Sequence, residues 1–169
     1  HNVQKDSEKW KAICENFCKK NEIKFIAHSL KQKKNMSSNL EKKLRDERYT
    51  FFEKTLEKNS ILFMGHHLDD LIETFFLRAL RGSGIEGLSS IPKERAVGKG
   101  KLIRPFLNIP KSEILAKAKK DKLKFIKDPS NKDISFDRNY LRNKVLPEIE
   151  NRWPSYRKNL NQLIENLKE

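Results

Sequence analysis

Apolar residues recur at helical spacing over Asp6–Asn21. Trp10, Ile13, Cys14, Phe17 and Cys18 share a face there, and Asp6 or Ser7 can cap the start. The next apolar stretch, Ile23–Leu30, is short and bounded by polar runs, which predicts a strand, and Lys31–Asn39 reads as a polar loop. Leu44, Tyr49, Phe51, Phe52 and Leu56 predict a second helix over Leu40–Lys58. Ser60–Gly65 is almost continuously apolar, the pattern of a strand buried on both faces. A third helix is predicted over Leu68–Leu80, stopped by Gly82 and Gly84.

Ser89–Lys101 reads as a loop tipped by Gly98-Lys99-Gly100, and Leu102–Phe106 as a short strand ended by Pro105. Pro110 suits the first turn of a helix running through Leu123. Phe125–Asp137 is a turn-rich connection, and Arg138–Asn151 and Tyr156–Leu167 are predicted as closing helices around Trp153-Pro154. Strands alternating with helices predict the α/β class, a parallel sheet with helices on both faces, followed by a small helical subdomain. Two strands make a meagre open sheet, so further sequence upstream of His1, which is not a Met, is expected to complete it.

Composition narrows the partners. The chain has 37 Lys+Arg against 23 Asp+Glu, a formal charge of +14 over 169 residues. That balance favours a polyanion, nucleic acid first, although a solvated lysine-rich surface accounts for it equally well. Apolar and charged residues are 36% each, which is lean, yet ten Phe and two Trp supply core material and exclude wholesale disorder. No apolar run approaches the ~20 residues of a membrane span. Cys14 and Cys18 read as reduced packing residues of a cytoplasmic protein.

Candidate chemistry is concentrated in Gly65–Gly87, GHHLDDLIETFFLRALRGSGIEG. The predicted strand ends at Met64-Gly65 and the helix starts just after His67, where parallel α/β sheets bind ligands. Asp69 and Asp70 each share a helical face with Glu73. Such carboxylates suit Mg²⁺, and His66 or His67 suits phosphate contact or proton transfer. The same acidic first turn also complements a helix dipole with no catalytic role. Arg138 and Arg142, four apart, either grip phosphates or pair with Asp128 and Asp133 to hold the preceding loop.

In order and spacing these motifs resemble the tRNA(Ile)-lysidine synthases of the N-type ATP pyrophosphatase, or PP-loop, superfamily, and their bacterial, especially proteobacterial, branch. The family's His, two Asp, then Glu-Thr is met by His67, Asp69, Asp70, Glu73 and Thr74. Arg81–Gly84 and Gly87-Leu88 match the elements that follow, and Glu41, Arg45 and Arg48-Tyr49 an upstream one. Further on come Ile103-Arg104-Pro105, Asp128-Pro129-Ser130-Asn131, Arg138-Asn139 with Arg142, and Arg152-Trp153-Pro154. Two features depart. The family's Ser-Gly-Gly-x-Asp-Ser phosphate loop has no counterpart here, and its His-Gly is His1-Asn2.

The resemblance implies a partial Rossmann-like fold of the adenine nucleotide alpha hydrolase type. Residues 1–107 would form the PP-loop α/β domain without its first strand and phosphate loop, and 108–169 a helical extension. It implies a ligase using ATP and Mg²⁺ to join L-lysine to a tRNA(Ile) with a CAU anticodon, with a homodimer left open. Asp70, His67 and Glu73 would be catalytic, and Asp69 and Asp70 would hold Mg²⁺. Arg45, Arg48, Arg81, Ser83, Arg138 and Arg142 would contact substrate or phosphate. The stretch given is expected to be inactive alone. The alternatives are a basic RNA-binding module and a PP-loop tRNA thiolase, whose usual Cys-x-x-Cys pair is absent. The lysine runs Lys31–Lys34 and Lys117–Lys124 would add attraction to RNA that is blind to sequence.

Overall fold

The computed structural model describes residues 7–28, 40–89, 91–123, 125–126 and 128–168. His1, Asn2, Asp6 and Lys31–Lys34 lie outside them, as does the side chain of Glu41. The chain forms two compact units, His1–Ser60 with Val97–Gly100, and Ile61–Ala96 with Lys101–Glu169.

The first unit holds α1 (Ser7–Lys20) and α2 (Leu40–Thr55). Ile23–His28, expected to be a strand, is irregular. A strand exists only through a ladder of hydrogen bonds to a neighbour, and among the described residues only Ile23 of this segment donates a backbone bond, back to the end of α1. Cys14 and Cys18 are free thiols, and Cys14 is exposed, so it is not the packing residue expected. The hairpin tip Val97–Gly100 belongs to this unit, and its glycines allow a close approach. Gly98 has φ +54°, and a Cβ there would sit 2.8 Å from the Glu53 carbonyl oxygen. One on Gly100 would sit 2.5 Å from that of Ser60.

The strands are β1 (Ile61–Phe63), β2 (Glu94–Val97) and β3 (Gly100–Ile103), in the spatial order β1-β3-β2. β1 and β3 are parallel, with Leu62 beside Leu102, while the two-residue connection makes β2–β3 an antiparallel hairpin. The sheet is therefore mixed rather than wholly parallel. β2 falls inside what reads as a loop, because Glu94-Arg95-Ala96 is exposed and lacks an apolar alternation. Across the hairpin, Lys101 pairs with Glu94 at 2.8 Å. β1 is not buried on both faces as its composition suggests. Leu62 turns inward, whereas Ile61 and Phe63 remain 51% and 64% exposed. Residue type alone does not specify which face of a short strand is covered.

The second unit is built around α3 (Leu68–Leu80). Leu68, Leu71 and Ile72 recur on one face and pack with Leu107, Leu141 and Ile164. After α3 come a short α4 (Ile85–Leu88) and α5 (Lys111–Lys120), then a 3-10 turn (Pro129–Lys132). α6 (Asp137–Tyr140) runs into a wide π turn (Leu141–Val145) and on into α7 (Leu146–Arg152), and α8 (Tyr156–Asn166) closes the chain. The π turn has a local cause. Pro147 has no amide for the Asn143 carbonyl and its ring would clash with it in a regular helix. The Leu146 amide instead reaches back to Leu141, which opens the helix just before the proline.

Candidate active site

The end of β1 delivers the chain to α3 through Met64–His67. His67 is extended and caps the helix. Its Nδ1 accepts the Asp70 amide at 3.3 Å, and Asp70 Oδ2 accepts the His67 amide at 3.1 Å, a reciprocal capping box. This box fixes the direction of both side chains. The tautomer follows as well, because an accepting Nδ1 leaves the imidazole proton of neutral His67 on Nε2, 3.5 Å from Asp70 Oδ2.

Glu73 lies one turn further along. It is 0% exposed, an unusual place for a carboxylate. Arg142 takes both of its oxygens, Nε at 2.6 Å and Nη2 at 2.7 Å, and Arg138 Nε stands 3.0 Å from Oε2. Arg142 also approaches Asp70 Oδ1 at 3.5 Å and donates to Asn131 at 3.3 Å. Arg138 donates to the Thr74 hydroxyl at 2.7 Å. Hydrogen bonding to Glu73 raises the Arg142 pKa further, so the guanidinium is permanently charged. The two arginines thus converge on Glu73, a partner not among the candidates Asp128 and Asp133 that their sequence position suggests. Asp128 caps the 3-10 turn through the Ser130 amide at 2.9 Å.

Asp69 points elsewhere. Its Oδ2 accepts the Lys111 amide at 2.7 Å and its Oδ1 accepts Arg157 Nε at 3.1 Å. Burial pushes the Asp69 carboxyl up, but the Lys111 amide and Arg157 together outweigh it and hold the group below the usual carboxylate range. The guanidinium of Arg157 is itself held by Glu150 and lies 4.8 Å over the Tyr156 ring.

These contacts bear on Mg²⁺. Among the described residues no three His, Cys, Asp or Glu side chains converge as a cage. Magnesium does not require one, since it usually takes one or two carboxylates and completes its shell with phosphates and water. Asp70 fits that use, because Oδ1 has only the 3.5 Å approach of Arg142. Both oxygens of Asp69 already accept hydrogen bonds from the protein.

The remaining candidates make other contacts. Arg81 pairs with Asp137 at 3.2 Å on an exposed surface. It follows Asp70 by eleven positions, about 16 Å along a helix axis. Ser83 sits beyond it in the turn that Arg78 closes by donating to the Gly87 carbonyl at 2.7 Å. Arg45 and Arg48 belong to α2, in the other unit, and both stand about 6 Å from the Tyr49 ring, at 5.9 and 6.0 Å. Sequence reasoning missed Arg157, which is one of 37 basic residues and carries no motif of its own. It treated Arg104 only as a motif position, yet Arg104 is buried, donating to His66 Nδ1 at 3.2 Å and to the Pro92 carbonyl at 2.6 Å.

The family described as the PP-loop domain matches residues 1–149. Among curated proteins, the chain is 45% identical to a tRNA(Ile)-lysidine synthase of Buchnera aphidicola over 94% of its own length and 36% of that protein's. Against the enzyme of the same name in Legionella pneumophila strain Lens the identity is 39%, over 96% of this chain and 37% of the relative. The chain therefore spans little more than a third of these relatives. A solved structure, the U34-tRNA thiolase NcsA from Methanococcus maripaludis with its 4Fe-4S cluster, superposes with a TM-score of 0.70. That match covers 92% of this chain and 55% of the thiolase at 18% identity, a likeness of fold alone. No helix among the described residues is long and apolar enough to cross a membrane.

Proposed function

We propose, on the premise that the chain belongs to the PP-loop domain family, that it is part of an ATP-dependent enzyme converting the wobble cytidine of a tRNA(Ile) with a CAU anticodon to lysidine. Its substrates are that tRNA, ATP and L-lysine, and it acts in the cytoplasm. Residues 1–107 belong to the nucleotide-binding α/β domain and 108–169 to a helical extension of it. The observation that carries this reading is the placement of Asp70 in the first turn of the helix that follows β1, aimed by the His67 capping box and left with one oxygen lightly engaged. The relatives named above point the same way.

The reaction has two stages. The C2 oxygen of the cytidine attacks the α-phosphate of ATP and pyrophosphate leaves. The lysine ε-amine then adds to C2 and AMP departs, carrying the C2 oxygen. The first stage concentrates negative charge, which positioned cations stabilise. Asp70 would hold Mg²⁺, which when bound neutralises the phosphates. Arg142 is a fixed cation beside Asp70, and Arg138 shares its Glu73 anchor. In this arrangement Glu73 serves by holding both arginines. Arg45, Arg48, Arg81 and Ser83 are assigned to contacts with the nucleotide or tRNA. In the second stage the attacking amine must be neutral and loses a proton once bonded to C2. Asp70 is the candidate acceptor, and His67, whose Nε2 lies 3.5 Å from Asp70 Oδ2, orients it.

The test is incorporation of labelled lysine into a tRNA(Ile) transcript by the protein expressed from its full reading frame. Incorporation should require ATP, release AMP and pyrophosphate, and vanish when the wobble cytidine is replaced by uridine. Lysine transfer that ignores this replacement would refute the assignment. Binding of tRNA without any transfer would favour the RNA-binding module instead.

A further inference from the structure

The contacts of Asp69 link four helices. One oxygen takes the first amide of α5, Lys111 N, at 2.7 Å. That amide has no partner within its own helix, and the residue before it, Pro110, offers no side-chain cap. The other oxygen takes Arg157 Nε, at 3.1 Å, from the first turn of α8. Arg157 in turn spends both terminal nitrogens on Glu150 of α7, one of them at 3.1 Å. The backbone adds a parallel tie, Leu68 N to Ile109 O at 3.1 Å. α3 is thus fixed to α5 and α8 at the residue immediately before Asp70.

From this geometry we infer that Arg157 is a positioning residue for the reaction: through Asp69 it sets the rotation and depth of the α3 N-terminus, and with them the direction of the Asp70 carboxylate. Arg157 touches no reacting atom in this account. Each of its three nitrogens already donates to Asp69 or Glu150, and the guanidinium lies over the Tyr156 ring, so it is occupied as a strut. Asp69 is the other half of that strut, which accounts for a carboxylate beside Asp70 whose oxygens both accept from the protein. This inference rests on the proposed function for its consequence on rate, and on the contacts alone for its consequence on structure.

The experiment uses Arg157→Gln, Asp69→Asn and the double variant in the full-length protein, with Arg157→Lys as a milder replacement should Gln fail to fold. Pyrophosphate release with tRNA and ATP is followed together with amide hydrogen exchange. Arg157→Gln should lower kcat at least tenfold while KM for ATP stays within threefold, and Arg157→Lys should recover part of the loss. The double variant should be no slower than the worse single one, because both remove one contact. Exchange at the Lys111 and Asp70 amides should quicken, with the α8 core amides unchanged. A kcat within twofold of the parent, a change confined to KM, or losses that multiply in the double variant would overturn the inference. Should the parent protein form no lysidine, the functional reading falls and exchange alone decides: unchanged protection at Lys111 overturns the strut, and faster exchange there sustains it.

Discussion

Arg142 grips the buried carboxylate of Glu73 through two nitrogens, at 2.6 and 2.7 Å, across 69 residues of sequence. The pair fastens the helix after the 3-10 turn to α3, one turn from Asp70. A fork of this kind fixes direction as well as distance, because both guanidinium bonds must be met in one plane.

Breaking that fork is expected to cost more than removing the second arginine on Glu73. Arg142→Met leaves Glu73 fully buried with Arg138 as its remaining cation, and losses of about 3 kcal/mol are expected when one partner of a buried pair is removed. Arg138→Met should cost less, since its side chain is 39% exposed and it gives Glu73 a single 3.0 Å contact beside its 2.7 Å bond to the Thr74 hydroxyl. Urea unfolding of the two variants checks the order. Equal stabilities would show that the fork contributes nothing beyond charge.

Asp70→Asn separates folding from chemistry. An asparagine still offers an oxygen to the His67 amide, and the residue 70 amide still donates to His67 Nδ1, so both bonds of the capping box survive and the stability loss should stay below about 1 kcal/mol. The anionic oxygen assigned to Mg²⁺ is lost, and pyrophosphate release should fall by roughly a hundredfold or more if the carboxylate supplies charge stabilisation of the usual size. Asp70→Ala should also lose the acceptor for the His67 amide and melt lower than Asp70→Asn. Thermal melts paired with single-turnover assays read both effects.

The turn from β1 into α3 was legible in the sequence, because local signals govern it. His67, Asp69, Asp70 and Glu73 fall where a strand hands over to a helix, and capping chemistry acts within three residues. The α/β class and the helices α1, α2, α3, α5 and α8 were legible for the same reason, as apolar periodicity and Gly82 are local, whereas the four-residue α4 was not. Long-range pairing was not. Nothing in the chain marks Glu73 as the partner of Arg142 and Arg138, or Arg157 as the partner of Asp69, since the choice of partner depends on how helices pack. The strands fared worst. Ile23–Leu30 has a strand's composition, yet Ile23–His28 forms no ladder among the described residues. Glu94–Val97 lacks that composition and forms one, because pairing with β3 through a tight turn decides the matter.

The hairpin tip offers a test of backbone constraint. Gly98 has φ +54°, and a Cβ there would lie 2.8 Å from the Glu53 oxygen and 3.0 Å from its Cα. Gly98→Ala therefore combines left-handed strain, worth about 1–2 kcal/mol, with a clash against helix backbone. A drop in melting temperature of several degrees is expected. Gly82→Ala has the same strain, at φ +72°, but open space around the added carbon. It should be the milder of the two, and a smaller loss for Gly98→Ala would contradict the crowding argument.

Asp69 gives the acid limb of stability a predictable source. Its folded pKa lies below the usual carboxylate value, because the Lys111 amide and Arg157 outweigh the opposing effect of burial. The unfolded chain binds the proton more tightly, at a pKa of about 3.9. The stabilisation is therefore complete above that value and is lost as pH falls through the lower folded one. Asp133 is shifted the same way by Ser135, but it is fully exposed, so Asp133→Asn serves as the control. Asp69→Asn removes the titrating charge and sets an amide against either Lys111 N or Arg157, both of which are donors. It should lower stability at pH 7 and flatten the dependence below about pH 4, whereas Asp133→Asn should leave stability at pH 7 almost unchanged. Denaturant midpoints from pH 2.5 to 7 compare the three proteins. An acid limb for Asp69→Asn as steep as that of the parent would mean that Arg157 and Lys111 do not hold this carboxylate in solution.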